Sequence, residues 1–178
     1  AGASAISVLT EPYFFKGSND YLKEIAENVN IPILRKDFTI DEYMIYEAKT
    51  LGASAILLIV SILDDAQLKE YLELAHDLGL SAIVETHDAN EIKTAIDAGA
   101  EIIGVNNRNL ADFTVDINNS VNLRRLVSDD VLFISESGIK TAEDVRRLKE
   151  NNVDAVLIGE TLMKSDDKKA MILELKNA

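Results

Sequence analysis

A short pattern returns along this chain, and it limits the fold more than any other feature. "AGASAISV" at 1–8 comes back as "LGASAILL" at 51–58. It returns more loosely as "LGLSAIVE" at 78–85, "AGAEIIGV" at 98–105 and "NNVDAVLI" at 151–158. Each copy has a turn-forming pair, usually with glycine, and then an apolar run. Glycine directly after a helix suits the positive φ that closes it. The apolar runs are short and rich in Ile, Val and Leu, as in strands of a parallel sheet covered on both faces.

Helical segments fill the gaps. "SNDYLKEIAENV" opens on a Ser/Asn cap, and its apolar residues fall at helical spacing. "DDAQLKEYLELAHDLG" and "TAEDVRRLKENN" follow the same rule, and Asp88 caps "DANEIKTAIDAG". Strands are predicted at 5–10, 32–36, 55–60, 81–86, 101–106, 131–136 and 154–159. They alternate with helices at a period of roughly 25 residues, the rhythm of βα units. An open doubly wound sheet and a (β/α) barrel both have this rhythm. An eight-fold barrel takes about 200 residues or more, and this chain has 178. Seven strands therefore suggest an α/β chain of the (β/α)8 TIM-barrel class carrying seven βα units, strands 2 to 8. No linker or low-complexity tract interrupts it, so residues 1–178 are expected to be a single domain with its N-terminal part missing.

Composition narrows the partners. A net charge of −13 repels nucleic acid and anionic membranes, so neither is an expected partner. No stretch is apolar enough to span a bilayer. There is no cysteine, which removes thiolate metal sites and cysteine nucleophiles, and the cytoplasm is the expected compartment. No histidine pair has metal-ligand spacing, so no metal is expected.

In folds of this class the ligand binds beyond the carboxyl ends of the strands. Polar residues gather there: Thr10 and Glu11, Arg35-Lys36-Asp37, Glu85-Thr86-His87-Asp88, Asn106-Asn107-Arg108, Ser135-Glu136-Ser137-Gly138, and Gly159-Glu160-Thr161. Strand parity groups Lys36 with Leu34 and Phe38, Glu85 with Ile83 and His87, and Asn106 with Gly104 and Arg108. A lysine, a carboxylate, an amide and a guanidinium are thus expected to converge on one mouth. A lysine and a glutamate in a partly desolvated site make a natural general acid and base. The Gly-bearing turns "SESGIKTAEDV" and "LIGETLMKS" offer close backbone approach and helix N-termini for a phosphate.

Plainer readings stand beside these. Arg35-Lys36-Asp37 also fits a solvated lip, with parity turning Arg35 outward, toward helices or solvent, and leaving Arg35 and Asp37 as rim groups or as support behind the site. His87 is read as a rim or structural histidine and His76 as a surface one. Asn107 and Asn109 are read as turn formers, and Phe14 as core or a staple rather than a substrate contact. The acidic runs at 128–130 and 165–167 are read as caps or solvated ends.

Taken in order, "ISVLTEPYFFKGS", "IPILRKDF", "AILLIVSIL", "IVETHD", "IIGVNNRNL", "SESGI" and "AVLIGETLMKS" resemble indole-3-glycerol phosphate synthase over essentially the whole chain. The resemblance implies a carbon–carbon lyase of tryptophan biosynthesis on a TIM barrel, working without a cofactor. Its reaction converts 1-(2-carboxyphenylamino)-1-deoxyribulose 5-phosphate to indole-3-glycerol phosphate, with loss of carbon dioxide and water. It implies that Lys36 is the general acid of ring closure and that Glu85 moves protons in the later steps. Asn106, Glu136 and Ser137 would complete the catalytic set, and Arg108 would help hold it. Phe15, Phe38, Leu57 and Ile59 would form the apolar pocket for the anthranilate ring. Gly138, Gly159 and Glu160 would bind phosphate.

The family also has an N-terminal extension and a first strand ending in a further glutamate and lysine beside a Ser-Pro turn, which this sequence lacks. Slow or absent turnover by this chain alone is therefore expected. The partner is a phosphorylated small molecule, and the chain is expected to be a monomer or a weak homo-oligomer. A phosphoribosylanthranilate isomerase-like enzyme and an inactive barrel fragment are the alternative readings.

Overall fold

The computed structural model describes residues 2–109 and 112–178. Its strands are β1 (Ile6–Leu9), β2 (Ile33–Lys36), β3 (Ala55–Ile59), β4 (Ser81–Thr86), β5 (Ile102–Asn106), β6 (Leu132–Glu136) and β7 (Ala155–Leu157). All seven fall inside the segments read from the apolar runs. The helices are α1 (Asn19–Asn28), α2 (Glu42–Thr50), α3 (Asp65–Asp77), α4 (Ala89–Asp97), α5 (Asn118–Arg124), α6 (Ala142–Glu150), α7 (Glu160–Lys164) and α8 (Lys168–Lys176). The chain divides into two compact units. The first comprises residues 4–85 and 94–101; the second comprises the residues up to Ala3, 86–93 and 102–178.

The recurring turn has one physical cause. Its second residue lies at positive φ in every copy: Gly2 at 99°, Gly52 at 91°, Gly79 at 66°, Gly99 at 91° and Asn152 at 58°. Four of these residues close a helix by the same pair of bonds. In the copy after α2, Gly52 N–H reaches Lys49 O and Ala53 N–H reaches back to Ala48 O. The copies after α3, α4 and α6 repeat this, the last with Asn152 N–H to Lys149 O and Val153 N–H to Leu148 O. This is the Schellman closure, which favours Gly and tolerates Asn because the left-handed region crowds other side chains. The next residue is apolar and buried in each case: Ala53, Leu80, Ala100 and Val153. It anchors the turn just before the chain enters a strand.

In the first unit, β1, β2, β3 and β4 pair in parallel and in sequence order. The middle of β3 shows why its sequence does not alternate: Ile56, Leu57, Leu58 and Ile59 are all at most 4% exposed. Both faces are covered, so both parities must be apolar. Helix α3 starts on a reciprocal cap between Asp64 and Gln67, and buries Leu68, Tyr71 and Ala75 along one stripe. In the second unit, β5, β6 and β7 pair in parallel. Phe133 at the centre of β6 is fully buried, and Arg124 of α5 stacks its guanidinium 5.6 Å from that ring's centre.

Of the two roles expected for Arg35 and Asp37, rim or support behind the site, the structure excludes the rim. Parity does turn Arg35 away from Lys36, but what it meets is packed protein. Arg35 is 3% exposed and Asp37 6%. The guanidinium donates to Thr10 Oγ1 at 3.2 Å, Met44 O at 2.8 Å, Asn19 Oδ1 at 3.1 Å, Asp37 Oδ2 at 3.4 Å and Glu47 Oε2 at 2.7 Å. Thr10 closes the network by donating to Asp37 at 2.5 Å. One side chain thus ties the end of β2 to β1, α1 and α2.

For Phe14 the core alternative is excluded: it is 80% exposed and touches Phe38 edge-on. The acidic runs behave as read, with Asp167 capping α8 and Asp129 exposed beside Arg124. Replacing Arg35 by Ala strands the buried Asp37 carboxylate. The expected loss is about 3–5 kcal/mol of unfolding free energy, measured by urea denaturation. A loss below 1 kcal/mol contradicts the account.

Candidate active site

The expected site residues fall into two groups, one in each unit. In the first unit, Lys36 ends β2 and Glu85 lies near the end of β4. Lys36 Nζ stands 3.4 Å from Glu85 Oε2, with side-chain exposures of 17% and 5%. Strand β3 runs between them, and its Leu57 and Ile59 share one parity and are buried. Phe38 follows Lys36 by two residues and stacks against Phe15, centroid to centroid 4.9 Å and tilted by 32°. An ammonium, a carboxylate and an aromatic pair are therefore grouped at the carboxyl ends of these strands. Such a pair can hand a proton outward from the lysine and restore it from the glutamate.

The aromatic loop has an organiser that the sequence reading passed over. Glu11 is buried, and its carboxylate accepts the N–H groups of Tyr13 at 2.8 Å, Phe14 at 2.5 Å and Phe15 at 2.9 Å. Burial pushes the pKa of this carboxyl up, but those three N–H groups and nearby Lys16 outweigh it. The net shift is downward. At the far end of the loop, a Cβ on Gly17 would collide with the Leu9 carbonyl, so only glycine lets the chain return this close. A carboxylate directly after a strand and just before an aromatic run is the signal that could have revealed Glu11.

In the second unit, Asn106 ends β5, and its Oδ1 accepts the N–H of Arg108 at 3.1 Å. Arg108 lies 3.6 Å from Glu160 in a half-exposed ion pair. Glu160 also accepts Lys164 Nζ at 2.6 Å; that bond and its charge, with Arg108 behind them, hold its carboxyl below the usual glutamate range. Glu136 ends β6 and is 1% exposed. Ser137 and Gly138 follow at φ 65° and 83°.

The two helix starts read as phosphate sites differ. The start of α6 carries a reciprocal cap: Asp144 accepts the N–H groups of Lys140 and Thr141 at 2.9 Å each, and Thr141 Oγ1 accepts Asp144 N–H at 3.2 Å. A carboxylate and a hydroxyl therefore already occupy these three N–H groups at the start of α6, while the Gly138 N–H lies outside that cap. Gly159, the residue before α7, has no side-chain cap.

Asn107 is not merely a turn former. It is 4% exposed and hydrogen bonds Ser120, Ser135 and the Ser137 carbonyl. His87 pairs its Nδ1 with Glu91 at 3.0 Å, and His76 is exposed. Among the described residues, no group of three or more His, Asp or Glu side chains is arranged to hold a metal ion. No helix among them is long and apolar enough to cross a membrane.

The family model for indole-3-glycerol phosphate synthase matches residues 1–175. The chain belongs to the indole-3-glycerol phosphate synthase family. These are carboxy-lyases of tryptophan biosynthesis, and their substrate is a phosphorylated small molecule. The chain is 58% identical over all its 178 residues to the Ruminiclostridium cellulolyticum synthase, covering 68% of that protein. It is 61% identical over 176 residues to the Leuconostoc mesenteroides synthase, covering 67% of it. The chain therefore spans about two thirds of the length of these relatives.

Among solved structures, the 3-hexulose-6-phosphate synthase of Salmonella typhimurium superposes with a TM-score of 0.85. The match covers 98% of this chain and 85% of that one at 15% identity. A mandelate oxidase superposes at 0.69, covering 98% of this chain and 64% of that one at 18% identity. These likenesses establish the fold alone: a TIM-barrel-like α/β fold with seven parallel strands.

Glu11 makes the stability of the aromatic loop depend on pH. Its pKa is depressed in the folded state, so its contribution to loop stability is full above about pH 4.3, the ordinary glutamate value. The contribution is lost as pH falls through the lower folded value. The amide NMR shifts of Tyr13, Phe14 and Phe15 should move with a shared acid midpoint below 4.3, and Glu11→Gln should erase that midpoint. A midpoint at or above the ordinary value contradicts the assignment.

Proposed function

We propose that this chain performs the family's ring-closing decarboxylation on 1-(2-carboxyphenylamino)-1-deoxyribulose 5-phosphate. The observation that carries the reading is the 3.4 Å pairing of Lys36 with Glu85 beside the Phe15–Phe38 stack. The Lys36 ammonium donates its proton to the substrate's ketone oxygen while the aromatic carbon bearing the carboxylate attacks the ketone carbon. Carbon dioxide then leaves, because its departure restores the aromatic ring. Glu85 accepts and returns protons as water is eliminated. Phe15, Phe38, Leu57 and Ile59 receive the anthranilate ring, whose apolar faces favour such a lining.

Asn106, Glu136 and Ser137 supply the remaining polar contacts, and Arg108 offsets the substrate's negative charge. That compensation is needed in a chain whose net charge is −13. Phosphate is bound by backbone N–H groups at Gly138 and Gly159–Glu160. The Glu160 side chain is itself an anion, so only its backbone suits that role; its carboxylate serves as the resting partner of Arg108. The cytoplasm is the proposed compartment.

Indole products fluoresce, so a continuous assay reads turnover directly. The chain should produce indole fluorescence from the carboxyphenylamino substrate, at the slow rate expected above, and leave phosphoribosyl anthranilate unchanged. Lys36→Ala should remove all measurable turnover. Glu85→Gln should lower kcat by about 10²–10⁴-fold, the usual weight of a general acid or base, with little change in KM. Wild-type rates in Lys36→Ala contradict the assignment. Turnover of phosphoribosyl anthranilate instead would move the chain to the isomerase reading, and no turnover of either would leave an inactive barrel fragment.

A further inference from the structure

Three polar side chains in the second unit form a closed ring with almost no solvent contact. Asn107 is 4% exposed, and Ser120 and Ser135 are 0% exposed. Asn107 Nδ2 donates to Ser135 Oγ at 2.9 Å, and Ser120 Oγ donates to Asn107 Oδ1 at 2.8 Å. The two hydroxyls are 2.8 Å apart. Ser120 has one hydroxyl proton and gives it to Asn107, so Ser135 must donate to Ser120. The ring therefore runs in one direction, with each hydroxyl donating once and accepting once.

Two capacities of the amide lie outside the ring, and both are used. Oδ1 accepts Ser120 N–H at 3.0 Å, and the second Nδ2 proton goes to the Ser137 carbonyl at 3.0 Å. Flipping the amide would set oxygen against the Ser137 carbonyl and nitrogen against the Ser120 N–H. Only one orientation satisfies all four contacts.

The consequence lies at Ser137. Its φ of 65° is one that residues other than glycine rarely hold. In a planar peptide the carbonyl and the next N–H point in opposite directions. A Ser137 carbonyl turned onto Asn107 therefore sends the Gly138 N–H away from the buried ring. Gly138 lies at φ 83°, and a Cβ there would run into the Val115 side chain, so the position is closed to other residues. Among the described residues, no hydrogen bond takes up the Gly138 N–H.

We propose that Asn107 is a positioning residue: its bond to the Ser137 carbonyl aims the Gly138 N–H at an anionic oxygen of the substrate's phosphate. The inference rests on the phosphate role given to Gly138 above. Asn107 acts through the peptide and touches no substrate atom.

The test follows the Gly138 amide by NMR during titration with inorganic phosphate. In the unaltered chain this resonance should shift saturably. Asn107→Asp keeps the shape but replaces both donors with an acceptor. It should move the Gly138 resonance before any phosphate is added and weaken phosphate binding roughly tenfold, the scale of one charge-assisted bond. Asn107→Ala brings in no buried charge and carries the same expectation should the Asp variant fail to fold. Ser120→Ala breaks the ring but leaves the Asn107–Ser137 bond. It should lower Tm while keeping phosphate affinity within about twofold.

Asn107 variants that lose stability yet bind phosphate as the unaltered chain does would make Asn107 merely structural and overturn the proposal. Equal weakening in Ser120→Ala would also overturn it. Absence of any phosphate response at Gly138 in the unaltered chain would remove the phosphate reading itself, and the inference with it.

Discussion

Burial of the strands on both faces is the constraint from which the rest follows. A strand such as β3 can carry no polar side chain along its middle without leaving it unsatisfied. Polar chemistry is pushed to the strand ends, where the chain emerges and side chains regain partners. At the amino ends of β3, β4, β5 and β7 the space is taken by Schellman turns, each locked by a left-handed residue and a buried apolar anchor. The carboxyl ends are therefore free to carry Lys36, Glu85, Asn106, Glu136 and Gly159.

Polar residues at those ends divide again by parity. Lys36 and Phe38 lie on one side of their strand, while Arg35 and Asp37 turn to the other and enter a buried network. The same division recurs along Asn106, Asn107 and Arg108, with Asn107 turned into the buried ring. In each case the residue between two site candidates holds the strand end in place. Breaking a buried, fully bonded polar network costs more than the network contributes net, because the survivors stay desolvated. These flanking residues are consequently as exacting as the candidates they support.

Much of this was legible in the sequence. The seven strands, the helix caps at Ser18, Asp64, Asp88 and Thr141, and the parity of Lys36 follow from local rules. Those rules depend only on neighbours along the chain. Failures occurred where a side chain's partner lay far away in sequence. Arg35 was left between a rim and a supporting role because nothing nearby announces Asn19 or Glu47. Asn107 was read as a turn former because Ser120 and Ser135 lie 13 and 28 residues on.

The sequence by itself determined the βα rhythm, the positive-φ turns and the end of each strand at which chemistry gathers. Those properties arise from φ restrictions, periodicity and burial, all encoded within a few residues. Tertiary structure alone decided which charges are buried and which pair. It set Lys36 at 3.4 Å from a glutamate 49 residues away, and it closed the Asn107 ring. Such pairings depend on the register between strands and on the direction of each side chain. Both are fixed only when the strands pack against one another.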